Sequence, residues 1–184
     1  SITKHIMQLK VDKKLSVFST IVKDHQSLNQ KLIEVIDEDQ VKDPRRVKSN
    51  VKAWHTSWII HLKNPGYDDL IAVTLKYLRK IEQEYMNVKD PFTYRIHNLW
   101  AMKYVPGEYA EKHNHYPSDW SAVYYVDVEK DSSAIKFENN LTINPQRGML
   151  LLFPSIMDHE VPPTTAKRTA VSMNIIKDLT NTVT

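Results

Sequence analysis

Three histidines and one arginine carry the chemistry open to this chain. His113 and His115 stand two apart at the end of the run YVPGEYAEKHNH, which starts at Tyr104. On a strand, residues two apart project from the same face, so both imidazoles can aim into one cavity. His159 opens a second run, HEVPPTTAKRTAVS, and supplies a third imidazole from the far side. Arg168 follows it by nine residues and offers a fixed cation. Imidazole nitrogen suits first-row divalent metals, and a guanidinium grips a carboxylate in a bidentate fork. Three imidazoles and one cation describe a metal site with an anion clamp.

The third metal ligand has two candidates. His115 completes a three-histidine set, whereas Asp119, six residues after His113, offers a carboxylate that needs a turn to fold back. Spacing favours His115. A facial three-ligand set with open positions suits a non-haem iron that must also bind substrate and oxygen. Around the clamp, Arg168 begins a strand whose inward parity takes in Ala170, Ser172 and Asn174. The hydroxyl of Ser172 can add a bond to the gripped carboxylate, and Tyr125 on a facing strand can reach the same group. His55 and His61 lie among the tryptophans of VKAWHTSWIIHL, where packed imidazoles are the simpler reading.

The elements that must position these groups follow from periodicity. SVFSTIV, from Ser16 to Val22, is β-branched and reads as a strand. Asp24 then caps a helix bearing Leu28, Leu32, Val35 and Ile36, and the acidic Asp37–Asp39 predicts its early end. Val51–Leu62 reads as a strand, and Asn64-Pro65 opens a second helix with Leu70, Val73, Leu75, Leu78, Ile81 and Tyr85 on its buried side. From Phe92 the period changes to two, which predicts a long strand or two joined at His97-Asn98, with Tyr94, Ile96, Trp100, Met102 and Tyr104 on one face. Short strands follow at 109–115, 121–128, 134–137, 148–153 and 169–176, separated by polar turns. Strands after helices predict a mainly β jelly-roll core with two N-terminal helices packed on one sheet. The whole chain, 1–184, reads as a single domain: 1–90 as strand and helical support, 91–178 as the catalytic core.

Composition sets limits. The chain has 184 residues, no cysteine and a net charge of +3, so any metal is held by nitrogen and oxygen rather than sulfur. Its longest apolar run, Met149–Phe153, is far too short to span a bilayer, and no signal-peptide pattern opens it, so the expectation is a cytoplasmic protein without membrane association. The basic run KDPRRVK at Lys42–Lys48 lacks aromatic interleaving and reads as a solvated loop rather than a nucleic-acid surface.

In combination these motifs resemble the Fe(II)/2-oxoglutarate-dependent dioxygenases, close to their prolyl-hydroxylase-like branch. HEVPPTTAKRTAVS is similar to the family's distal-histidine segment: histidine, arginine nine residues on, then serine or threonine four further on. VYYV resembles its tyrosine-bearing strand, and SDWSAVYYV with GMLLLFPSIMDHEV resembles a bacterial and phage subgroup in which HxH replaces HxD. The similarity covers about Leu99 to Ile176, with SNVKAW extending it toward the N-terminal part. It implies a double-stranded β-helix (a jelly-roll, cupin-like core), iron as metal, 2-oxoglutarate as cosubstrate and O2 as oxidant. By position it makes His113 and His159 iron ligands, puts His115 where aspartate is common, and gives Arg168, Tyr125, Ser172 and Tyr104 to the cosubstrate. The serine of the RxS pattern is absent, because Ala170 stands there. The implied activity is hydroxylation of an unactivated carbon, with a prolyl residue of a peptide or protein as candidate substrate and a small molecule as the other. Phage origin would place it in the host cytoplasm. Two readings stand beside it: a non-catalytic metal- and 2-oxoglutarate-binding module, and a three-histidine cupin-type enzyme.

Overall fold

Residues of period two form strands because alternate side chains reach opposite faces of a sheet, and each face here has something to bury. The computed structural model describes residues 15–180. Among them run β1 (Phe18–Ile21), α1 (His25–Lys42), β2 (Val51–Lys52), β3 (Trp54–His55), α2 (Asp68–Glu84), β4 (Tyr94–Tyr104) and β5 (Tyr109–His113). There follow β6 (Trp120–Val128), β7 (Ile135–Phe137), β8 (Thr142–Ile143), β9 (Met149–Pro154), β10 (His159–Val161) and β11 (Arg168–Lys177). A six-stranded antiparallel sheet has the order β1-β9-β6-β11-β4-β3, and a five-stranded one the order β2-β5-β10-β7-β8. This is the mainly β jelly roll that the pattern predicts.

The larger sheet buries both faces. On its outer face Leu32 and Ile36 of α1 and Leu70, Leu78 and Ile81 of α2 pack against Leu99, Tyr124, Leu152, Val171 and Met173. On its inner face Trp100, Met102, Tyr104, Val123, Tyr125 and Ala170 meet Ala110, Ile135, Phe137 and Val161 of the smaller sheet. Burying one large apolar side chain contributes about 1.5–3 kcal/mol, so this two-sided packing makes the sheet a rigid floor for whatever the inner face holds. The turn into β9 needs Gly148, whose φ of 80° lies in the left-handed region and whose missing Cβ would fall 2.3 Å from the His25 ring.

Several expectations change. Asp24 precedes α1 but makes no side-chain cap, and its own φ is 57°. Rather than ending at Asp37–Asp39, α1 runs on to Lys42. Tertiary partners neutralise the acidic turn: buried Asp39 accepts from the Tyr67 hydroxyl (2.7 Å) and Asn64 (3.0 Å), and Asp37 pairs with Lys103. The segment 51–62 is not one strand, because the chain passes from one sheet to the other: β2 pairs with β5, β3 pairs with β4, and Ile60–Leu62 is a short 3-10 helix. Tyr85 lies just past α2 and is exposed. Two short strands unforeseen in the sequence, β8 and β10, complete the smaller sheet.

The most consequential difference is in β4. Asn174 of β11 pairs with Asn98, yet Ile175 pairs with Ile96, leaving His97 as an extra residue. This bulge flips the strand's parity. Tyr94 and Ile96 therefore face the helices, while Trp100, Met102 and Tyr104 face the smaller sheet.

Candidate metal centre and anion clamp

Each histidine reaches the centre by a different route. His113 is the last residue of β5 and pairs in register with His159, the first residue of β10. His115 lies just beyond β5, where its backbone N–H donates to the Ser155 carbonyl (2.8 Å) and fixes the turn. The ligand atoms of the three imidazoles lie within 4.8 Å of one another, and the ring of His113 is 4.4 Å from that of His159. Two of the rings are oriented from behind: Nδ1 of His113 contacts the Glu111 carbonyl (2.5 Å) and Nδ1 of His159 the Met157 carbonyl (3.1 Å). With Nδ1–H donated to these carbonyls, Nε2 is the nitrogen left free to bind a metal.

Electrostatics keep the cluster ready for a cation. Burial, reinforced by His159 and His113, pushes the His115 imidazole down to about 3. Burial, with His113 adding to it, takes His159 down to about 4, and burial also lowers His113. Neutral imidazoles are the form that ligates metal. Asp119 stands apart, accepting from the Lys177 backbone N–H (2.8 Å) and pairing with its ammonium (3.6 Å). The three histidines alone form the cluster among the described residues, and their donor set fits a divalent first-row ion.

The clamp shares the same cavity. A small hollow is lined by His113, His115, His159, Arg168, Tyr104 and Tyr125, with Ser172 also on its wall. Arg168 is 3% exposed, its guanidinium carbon sits 4.5 Å from the Tyr104 ring centre, and one Nη1 donates to the Ser133 carbonyl (2.5 Å). Its Nε has no partner. A buried guanidinium N–H without an acceptor calls for an anion, and a carboxylate is the planar anion that fits it. Burial raises the Tyr104 phenol and pushes that of Tyr125 up to about 12, in both cases against the pull of Arg168, so both stay protonated donors.

Other expectations sort cleanly. His55 is a packed imidazole, held by Thr56 and Ser49 and stacked on Trp58 at 4.3 Å. Trp54 and Trp120 are buried in the outer core. Trp58 does line a second hollow that opens beside His113 and His115, with Asn98, Asn114 and Asn174. Tyr116 is exposed and, like Asn139, is absent from the walls of both hollows. Trp100 escaped notice as a site residue. The signal was its shared parity with Tyr104.

Two facing antiparallel sheets with three histidines and a buried arginine lining one cavity between them make a double-stranded β-helix. A family model described as putative 2OG-Fe(II) oxygenase matches residues 98–142. The fold is similar to that of a Pseudomonas putida prolyl-4-hydroxylase: 16% identity, TM-score 0.65, covering 89% of this chain and 92% of that one. It is also similar to a prolyl hydroxylase from Trichoplax adhaerens, solved with a hypoxia inducible factor peptide fragment: 16% identity, TM-score 0.65, covering 89% and 83%. A third likeness is to HygX from Streptomyces hygroscopicus, solved with nickel and 2-oxoglutarate: 10% identity, TM-score 0.64, covering 90% and 83%. No curated protein matches by sequence. Family model and fold agree with the resemblance carried by the motifs, that of the 2-oxoglutarate-Fe(II) oxygenases of prolyl-hydroxylase type. No helix among the described residues is long and apolar enough to cross a membrane.

Proposed function

We propose that this chain is an Fe(II)- and 2-oxoglutarate-dependent dioxygenase that hydroxylates an unactivated carbon, with a prolyl residue of a peptide or protein as substrate. One observation carries the proposal: a single cavity holds three convergent neutral imidazoles and a buried guanidinium with an unused N–H. His113, His115 and His159 would hold the iron. When bound, iron with 2-oxoglutarate and O2 supplies the oxidation, which yields succinate, carbon dioxide and a hydroxylated product.

The chain's own residues do the rest. Arg168 takes the distal carboxylate of the cosubstrate, with Tyr104, Tyr125 and Ser172 as hydroxyl donors around it. The carbonyls of Glu111 and Met157 hold two imidazoles in one orientation, so binding needs little reorganisation. Val51, Met102, Val123 and Ile135 line the walls and exclude water, which strengthens the Arg168–carboxylate pair. The substrate would enter through the hollow beside His113 and His115, whose amide side chains and Trp58 suit an uncharged peptide segment.

Lack of a carboxylate among the three ligands favours a second reading, a metal- and 2-oxoglutarate-binding module without turnover. The test is succinate formation by the purified protein with Fe(II), 2-oxoglutarate and candidate prolyl peptides. Succinate release supports the enzyme, tight cosubstrate binding without succinate supports the module, and binding of neither metal nor cosubstrate defeats both. The phage-host and cytoplasmic placement, and the division at residue 90, rest on the sequence alone.

A further inference from the structure

Six buried side-chain polar atoms among the described residues have no hydrogen-bond partner, and two of the six belong to one cavity: Arg168 Nε and Trp100 Nε1. Buried polar groups are nearly always paired, so two orphaned donors on residues that line the same hollow point to acceptors that arrive with a ligand. They sit at its two ends. Arg168 pairs in register with Tyr104, and Ser172 with Trp100, which places the donors four residues apart along both strands. Four residues span about 13 Å of strand, a gap that two side chains and an extended five-carbon dicarboxylate together cover. Trp100 marks the metal end, with its ring 5.5 Å from that of His115.

The indole is also held in place. Trp58 meets Trp100 edge-on at 5.0 Å and stacks on His55 at 4.3 Å. His55 is fixed by the Thr56 carbonyl (2.7 Å) and Ser49 Oγ (3.1 Å). This chain of contacts gives a purpose to an imidazole that the site otherwise leaves unused, and a second one to Trp58. A donor locked in advance loses little entropy when its acceptor arrives.

We infer that the indole N–H of Trp100 is a second fixed donor of the cosubstrate pocket and binds the carboxylate next to the keto group of 2-oxoglutarate. The inference rests on the function proposed above. Trp100 is thus a binding residue that works with Arg168: one donor for each end of the dicarboxylate.

The test uses the full chain loaded with Ni(II), which accepts nitrogen ligands and does not turn over, and calorimetry with two ligands. One is 2-oxoglutarate. The other is 4-oxobutanoate, the same molecule without the carboxylate next to the keto group. Trp100→Phe is expected to weaken 2-oxoglutarate at least about tenfold, as loss of a hydrogen bond to a charged group does, and to leave 4-oxobutanoate and Ni(II) stoichiometry unchanged. Replacing Trp100 with 3-benzothienylalanine, which keeps the indole shape without its N–H, reproduces that loss if the hydrogen bond rather than packing is responsible. Unchanged 2-oxoglutarate affinity in the benzothienyl variant, or equal weakening of both ligands, overturns the inference and leaves the proposed function standing. Unaltered protein that binds Ni(II) but no 2-oxoglutarate overturns the function itself, and the inference with it.

Discussion

Along β11 two kinds of surface alternate residue by residue. Val171, Met173 and Ile175 face the helices and are fully buried among aliphatic groups. Arg168, Ala170 and Ser172 face the cavity, where the first leaves an N–H unpaired. One face is complete as it stands, because dispersion contacts need no further partner. The other leaves a donor without an acceptor. The helix-covered face supplies the rigidity that lets the cavity face keep a buried, incompletely satisfied cation, so stability and binding should separate cleanly between adjacent residues of one strand.

Breaking the cavity face should show the largest effects. His159→Ala, and likewise His115→Ala, is expected to abolish stoichiometric Ni(II) uptake, measured by metal analysis after desalting. Full retention in either variant would remove that imidazole from the ligand set. Arg168→Ala should weaken 2-oxoglutarate about a hundredfold while leaving metal stoichiometry intact, and Arg168→Lys should restore only part of it, because an ammonium lacks the planar fork. Calorimetry reads this directly, and an unaffected affinity would sink the clamp.

On the helix-covered face, Met173→Ala should cost about 2–5 kcal/mol in urea unfolding while metal and cosubstrate affinities stay put. A parallel loss of binding would show that the two faces are not separable. Tyr125→Phe removes one donor at the clamp and should cost cosubstrate affinity only about two- to tenfold. Smallest of all, Asp119→Ala should leave Ni(II) stoichiometry unchanged, since that carboxylate is engaged by Lys177. Loss of metal in this variant would restore Asp119 as the third ligand.

Much of the fold was legible because the chain past His97 keeps strand-like alternation and the helices keep their own period, and both signals are local. The inner face of β11 was readable from Arg168 onward for the same reason. What escaped depended on partners distant in sequence. Nothing near Asp37–Asp39 announces Tyr67, Asn64 and Lys103, which let α1 continue through an unfavourable acidic turn. The segment 92–104 offers His97-Asn98 as a possible joint but does not show that His97 bulges and reverses the strand's parity, since the pairing of Ile96 with Ile175 and Asn98 with Asn174 belongs to both strands at once. Short β10 was hidden as well, its three residues being too few to show a period.

Residue type and spacing were by themselves enough to name the candidate reagents: two histidines two apart, a third before an arginine, and tyrosines, which were expected on a facing strand and lie instead on the two strands beside the arginine's own. They also set the chemistry those reagents permit, because ligand atoms and charges are properties of side chains. Which groups meet was decided only by the tertiary structure. Register across the sheets brought His159 opposite His113, drew Asp119 away to Lys177, and turned Trp100 inward with its N–H unpaired. Register is settled by the burial of whole faces, a sum over many distant contacts that no short stretch of chain contains.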